Sequence, residues 1–116
     1  MLKQIVIVAL PIPLKKNFNY YYRSSKDLLG YRVKVSFNGR VLSGIIIGTQ
    51  VNSHFKNLKP ILEILGNNPL FSKKELYLSK VVCEYYNYSL GEFLKKIDTE
   101  YEQKMSSRKP EEILYE

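Results

Sequence analysis

The chain has 116 residues and carries 18 Lys and Arg against 11 acids, for a formal net charge of +7. A chain of that length forms one domain and buries enough surface to fold without cross-links, and its single cysteine, Cys83, excludes an internal disulfide framework. The longest apolar runs, IVIVAL and GIIIG, are too short to span a bilayer, and no secretory cleavage pattern follows the first of them, so a cytoplasmic location with no membrane partner is expected.

In chain order, KQIVIVAL (Lys3–Leu10) is an apolar run closed by prolines and reads as a buried strand. FNYYY (Phe18–Tyr22) has strand-type residues. In YRVKVSF, Tyr31, Val33, Val35 and Phe37 alternate with Arg32, Lys34 and Ser36, which is the period of a half-buried strand. Asn38-Gly39 is the preferred pair for a tight hairpin, and Arg40–Val51 is the return strand. Gly44 and Gly48 within it mark bends or a bulge of the kind that curls a sheet. Leu58–Leu65 reads as a fifth strand, with a proline near its start. The pattern then changes. Ser72 and Glu75 form a capping box, and Leu78, Val81, Val82 and Tyr85 keep helical spacing, predicting an amphipathic helix from Lys73 to about Asn87. Ser89 and Glu92 repeat the capping pattern before a short second helix marked by Phe93, Leu94 and Ile97. The expected architecture is mainly β with C-terminal α. It is a small curled antiparallel barrel (1–66) of about five strands, then one or two helices (72–97), then a polar linker or tail (98–116).

Charge gives the first indication of function. Residues 98–116 hold six acids and three bases, leaving 15 bases and five acids, or +10, on residues 1–97. Such a body attracts polyanions, of which nucleic acid is the commonest. Catalytic chemistry is not legible. His54 sits in a polar loop, Cys83 on a predicted helix reads as a small core residue, and together they build no metal set. GRVLSG has the two glycines of a phosphate loop, but Ile45 and Ile46 replace the Lys and Ser/Thr that would reach phosphate and magnesium. The acids of the basic body, Asp27, Glu63, Glu75, Glu84 and Glu92, form no general acid/base pair. A non-enzymatic chain with no cofactor is expected.

The order of motifs is more specific than any one of them. VALPIPLKKNFNYYY, then GYRVKVSFNGRVLSGIIIG, then LKPILEILGNNPLFSKKELYLSKVVCEYYNYSLGEFL resembles the N-terminal DNA-binding domain of PriA, the primosomal replication-restart helicase, over about three-quarters of the chain. The resemblance implies an OB-like barrel that binds the 3′ end of a nascent strand at a stalled, forked DNA. It also implies the helicase part of the same polypeptide and other primosome proteins as partners. The family's helicase nucleotide site and zinc-binding cysteines have no counterpart in these residues. The family's end-binding pocket maps onto Phe18, Asn19 and Tyr20, onto Asn38 and Gly39 of the hairpin, and onto Lys59. Asn19 replaces the usual aspartate, whose carboxylate accepts a hydrogen bond from the terminal 3′-hydroxyl; an amide oxygen accepts the same bond without charge. Asn38 stands where a glycine is usual.

The residues alone reach a compatible reading. An aromatic such as Phe18 or Tyr20 can stack on an exposed base, and Lys15, Lys16, Arg40 and Lys59 can neutralise phosphates. Strand alternation puts Phe18, Tyr20 and Tyr22 on one face and Asn19 and Tyr21 on the other, so one set fills the barrel. Tyr85, Tyr86 and Tyr88 are expected to pack between helix and barrel. A basic barrel binding RNA or ribosomal components, and a protein-interaction module, are the alternatives that charge and aromatics leave open.

Overall fold

The computed structural model describes residues 3–50 and 57–107, so His54 and the segment after Ser107 lie outside the described residues. Its strands are β1 (Lys3–Ala9), β2 (Phe18–Arg23), β3 (Arg32–Phe37), β4 (Arg40–Gln50) and β5 (Glu63–Leu65). They pair antiparallel in the order β2-β1-β4-β3-β5. Two helices follow, α1 (Lys73–Tyr86) and α2 (Leu90–Ser107). The β3–β4 hairpin is closed by the pair Phe37 and Arg40. Asn38 and Gly39 have φ of 48° and 76°, so both turn residues are left-handed, which is the conformation an Asn-Gly turn supplies at least cost.

The fifth strand is shorter than Leu58–Leu65, because that stretch turns a corner. Tyr21 N donates to Lys59 O at 3.1 Å and Ile61 N donates to Tyr21 O at 2.9 Å, a parallel bridge that closes the barrel against β2. This bridge uses the amides on either side of Pro60, so the missing N–H of proline costs nothing there. Leu62 N then donates to Lys34 O, and the last three residues run along β3.

Val6 and Val8 of β1, Tyr20 of β2, Val33 and Val35 of β3, and Ile46 of β4 fill the interior with Leu10, Leu28, Tyr31 and Ile61. The opposite faces of β1 and β4 present Ala9, Ile45 and Ile47 to Phe71, Leu76 and Leu94 beneath the helices. β4 is therefore apolar on both sides, which is why GIIIG does not alternate. The β1–β4 register shifts between Ile7 and Val8, skipping Ile47, a bulge beside Gly48 that bends the sheet.

Ser72 caps α1 with the full box, its hydroxyl accepting from Glu75 N while the Glu75 carboxylate accepts from Ser72 N. Asn87, at φ 58°, ends the helix. The buried face of α1 is Leu76, Ser79 and Cys83, not the predicted stripe. Leu78, Val81, Val82 and Tyr85 are all exposed, because the helix turns its second apolar-compatible face to the barrel. α2 also departs from expectation. It runs past the predicted boundary at residue 98, and Asp98 is buried, pairing with Arg32 Nη1 at 3.0 Å. The charged pair ties the helix to β3, so the polar sequence after Ile97 continues as helix.

α2 meets the barrel through Gly91, where a Cβ would stand 1.6 Å from the Leu10 carbonyl oxygen. Backbone on backbone leaves no side chain to move aside. Gly91→Ala is expected to lower stability in urea denaturation by about 3 kcal/mol or more, whereas Lys96→Ala, at an exposed position of α2, changes it by about 0.5 kcal/mol at most.

Candidate nucleic-acid interface

The loop from Pro11 to Asn17 delivers the chain to β2, and α2 holds it in place. Ser89 Oγ donates to Ile12 O at 2.8 Å, with Leu14 O at 3.3 Å, and sits 3.5 Å from Glu92 N. The second capping motif thus spends its hydroxyl proton on anchoring this loop. Phe18 is the first residue of β2, opposite Val8, and its half-buried ring meets Phe37 edge-on, centroids 4.8 Å apart. Lys16 Nζ lies 5.7 Å from the Phe18 ring centroid, within cation–π range. Phe37 immediately precedes Asn38, Gly39 and Arg40, all exposed at the hairpin tip. One end of the barrel therefore joins Phe18, Lys16 and the hairpin tip, with Phe37 as the buttress that the sequence reading did not single out; its signal was an aromatic directly flanking the turn.

Tyr20 does not belong to the exposed surface. Its ring is 4% exposed in the interior cluster and its hydroxyl donates to Ser36 O at 2.8 Å. Tyr20 shares the inward face of Phe18 but lies further into the strand and is enclosed, where Phe18 at the strand's start is half-buried, so the expected base contact by Tyr20 is corrected to a tie between β2 and the strand that carries the hairpin. Asn19 takes the other face, opposite Ile7, half-buried. The peptide groups of Tyr21 face away from β1 toward residues 59–61. By the alternation of an antiparallel ladder, those of Asn19 point the same way, onto an edge of β2 that pairs with no strand among the described residues. Lys59 is exposed, and its carbonyl is held by Tyr21. Lys15 is separated from this group: with Asn17, Lys80, Glu84 and Tyr88 it lines a cleft of about 310 Å³ against α1. Among the described residues, Lys16, Arg40 and Lys59 form no ion pair with a carboxylate; the pairs there are Asp98 with Arg32 and Glu63 with Lys34.

The tyrosines of α1 are also not where they were expected. Tyr85 and Tyr86 are 81% and 71% exposed, their rings edge-on at 4.9 Å, and Tyr88 leans on Phe93 at 6.4 Å. They pack against each other and α2, not between α1 and the barrel. Cys83 is buried, as the sequence implied, and burial pushes its thiol pKa up, away from the reactive thiolate. No helix of the described residues is long and apolar enough to cross a membrane.

A curled five-stranded barrel that sets an aromatic among cations lacking carboxylate partners is the architecture of a nucleic-acid-binding module. The model of the PriA 3′-DNA-binding domain family matches residues 7–97, and the chain belongs to that family. It is a DNA-binding domain of the 3′-end type, not a catalytic one.

Burial raises the pKa of the Tyr20 hydroxyl above the ordinary tyrosine value. The unfolded chain then loses that proton near pH 10 while the folded chain retains it, so stability falls as pH rises past about 10. Tyr20→Phe is expected to cost about 1 kcal/mol at pH 7 through the lost bond to Ser36. The gap between variant and wild type narrows as urea titrations move from about pH 9 to about pH 11. In DNA titrations, Phe18→Leu is expected to keep apolar volume against Phe37 and to lose about 1–3 kcal/mol of stacking with the salt slope unchanged. Lys59→Ala is expected to lower that slope by about 0.7.

Proposed function

We propose that this domain holds the 3′-terminal nucleotide of a single DNA strand at a stalled replication fork, as the DNA-binding module of a cytoplasmic primosomal replication-restart helicase. The helicase part of that polypeptide and other primosome proteins are its protein partners. The observation that carries the end-binding reading is the position of Phe18 and Asn19 at the very start of β2, with, among the described residues, no strand paired to the Asn19 peptide edge and unneutralised cations on both sides. The terminal base stacks on Phe18 beside the Asn38-Gly39 tip. The Asn19 amide oxygen accepts the hydrogen bond donated by the 3′-hydroxyl, and Lys59, Lys16 and Arg40 neutralise the neighbouring phosphates.

This arrangement reads the chemistry of the end. A 3′-phosphate replaces the donated hydrogen bond with close to two negative charges facing an acceptor oxygen. The lost bond costs about 1–3 kcal/mol. Rotation of the Asn19 amide to present its NH₂, and pairing with Lys59, offset part of this, so the expected penalty is about five- to tenfold in affinity. A 5′-phosphate on the same strand leaves binding unchanged. Competition titrations with 3′-hydroxyl, 3′-phosphate and 5′-phosphate forms of one oligonucleotide measure this directly. Equal binding of all three would leave a generic single-strand binder.

A further inference from the structure

The outer face of β2 carries more than Asn19. Alternation places Asn19, Tyr21 and Arg23 on that face in succession, while Phe18, Tyr20 and Tyr22 pack toward the interior. The β1–β2 register sets Lys3 directly opposite Arg23 and Ile5 opposite Tyr21. Two cations facing each other across an antiparallel pair repel. The fold does not separate them or interpose an acid; it gathers both on one ring. Lys3 Nζ lies 4.2 Å and Arg23 Cζ 5.8 Å from the Tyr21 centroid. The ion pairs of the described residues, Arg32–Asp98 and Lys34–Glu63, involve neither cation.

The cluster is also fixed in place. The Gln4 side-chain amide donates to Ser24 O and to Lys26 O, the latter at 2.9 Å, pinning the turn after β2 to β1. A third cation, Lys26, is held 5.0 Å from the Tyr31 ring centroid by the same turn. Its sequence neighbour Asp27 uses one carboxylate oxygen to accept from Leu29 N, closing its own turn. A guanidinium or ammonium resting on an aromatic ring keeps its N–H donors free at the edge, and a phosphate oxygen is the partner those donors suit best. With cations at the Tyr21 ring, the residue serves to position charge; base stacking falls to Phe18.

We propose that Lys3, Arg23 and Tyr21 form a phosphate clamp for an internal phosphodiester of the bound single strand, a few nucleotides 5′ of its end. Asn19 and Arg23 are about 13 Å apart along one strand face at 3.3 Å per residue. A strand whose end sits at Asn19 and which follows β2 therefore reaches the clamp with its backbone. The clamp deepens the end-binding reading and rests on it for the placement of the strand.

The test uses the intact chain, anisotropy titration against salt, and two ligands sharing one 3′-hydroxyl end: a dinucleotide and a strand of about ten nucleotides. The double variant Lys3→Gln/Arg23→Gln is expected to lower the log–log salt slope for the longer strand by about 1.4, two contacts at about 0.7 each. Dinucleotide affinity and the preference for 3′-hydroxyl over 3′-phosphate stay unchanged. Tyr21→Phe keeps the ring and binds the longer strand like wild type; Tyr21→Leu weakens it several-fold. If the double variant unfolds, Arg23→Gln alone carries the test at half the slope change. An unchanged slope for the longer strand, or an equal loss for the dinucleotide, overturns the clamp. A wild type that does not distinguish the two 3′ ends, yet loses slope in the double variant, overturns end recognition and leaves a backbone site.

Discussion

Two main-chain hydrogen bonds at Tyr21 determine most of what this domain presents to a ligand. They close the barrel by joining β2 to residues 59–61, and so they set Lys59 beside a strand that precedes it by some forty residues. The bridge stops at residue 59, and the described residues place no strand besides β1 against the start of β2. Strand alternation separates a core tyrosine, Tyr20, from its half-buried neighbour Asn19 on the other face. The tie from Tyr20 to Ser36 and the contact of Phe18 with Phe37 then brace the hairpin across the same end of the barrel.

The charge surplus acquires a geometry from how the acids are used. Asp98 is buried against Arg32, Glu63 reaches Lys34, Glu75 completes a helix cap and Asp27 closes a turn. Each of these four acids serves the fold, and none of these contacts is with Lys16, Arg40, Lys59, Lys3 or Arg23. Exposed pairs such as Lys34–Glu63 add little stability. The Arg32–Asp98 pair is different in kind: the Asp98 side chain is 3% exposed and that of Arg32 31%, so losing Arg32 leaves a buried carboxylate without this partner, whereas losing Asp98 leaves a guanidinium that water still reaches. Along β2 and the hairpin tip, Lys3, Arg23, Lys16 and Arg40 are exposed and form no ion pair among the described residues.

Much of this was legible in the sequence where a local rule decides the outcome. The Asn-Gly hairpin, the Tyr31–Phe37 alternation, the bulge near Gly48 and the Ser72–Glu75 cap all depend on residues within a few positions of each other. The order of motifs supplied the family and the candidate residues. What was not legible depends on partners distant in the chain. Leu58–Leu65 looked like one strand because its composition does not record that it pairs with β2 first and β3 afterwards. Asp98 looked like the start of a linker because its burial rests on Arg32, 66 residues away. The Lys3–Arg23 pairing is a matter of register, and no spacing in the sequence reveals a register. The spacing on α1 identifies the helix and its apolar stripe but not the stripe's exposure, since periodicity locates a face without saying what covers it.

That uncovered face has a consequence for how the molecule opens. α1 buries only Leu76, Ser79 and Cys83, and an unsupported helix of its length is marginal in water. Detaching it gives up those three side chains and the half-covered flanks of Leu78, Val81 and Val82, while Tyr85 is already 81% exposed. Its amides will therefore exchange with solvent through a low-energy local opening, while those of β1 and β4, locked around an interior at 0% exposure, wait for global unfolding. The domain is energetically two bodies of unequal tightness: a barrel that keeps the DNA-facing end in register, and a lightly held helix whose persistence is set by its two caps.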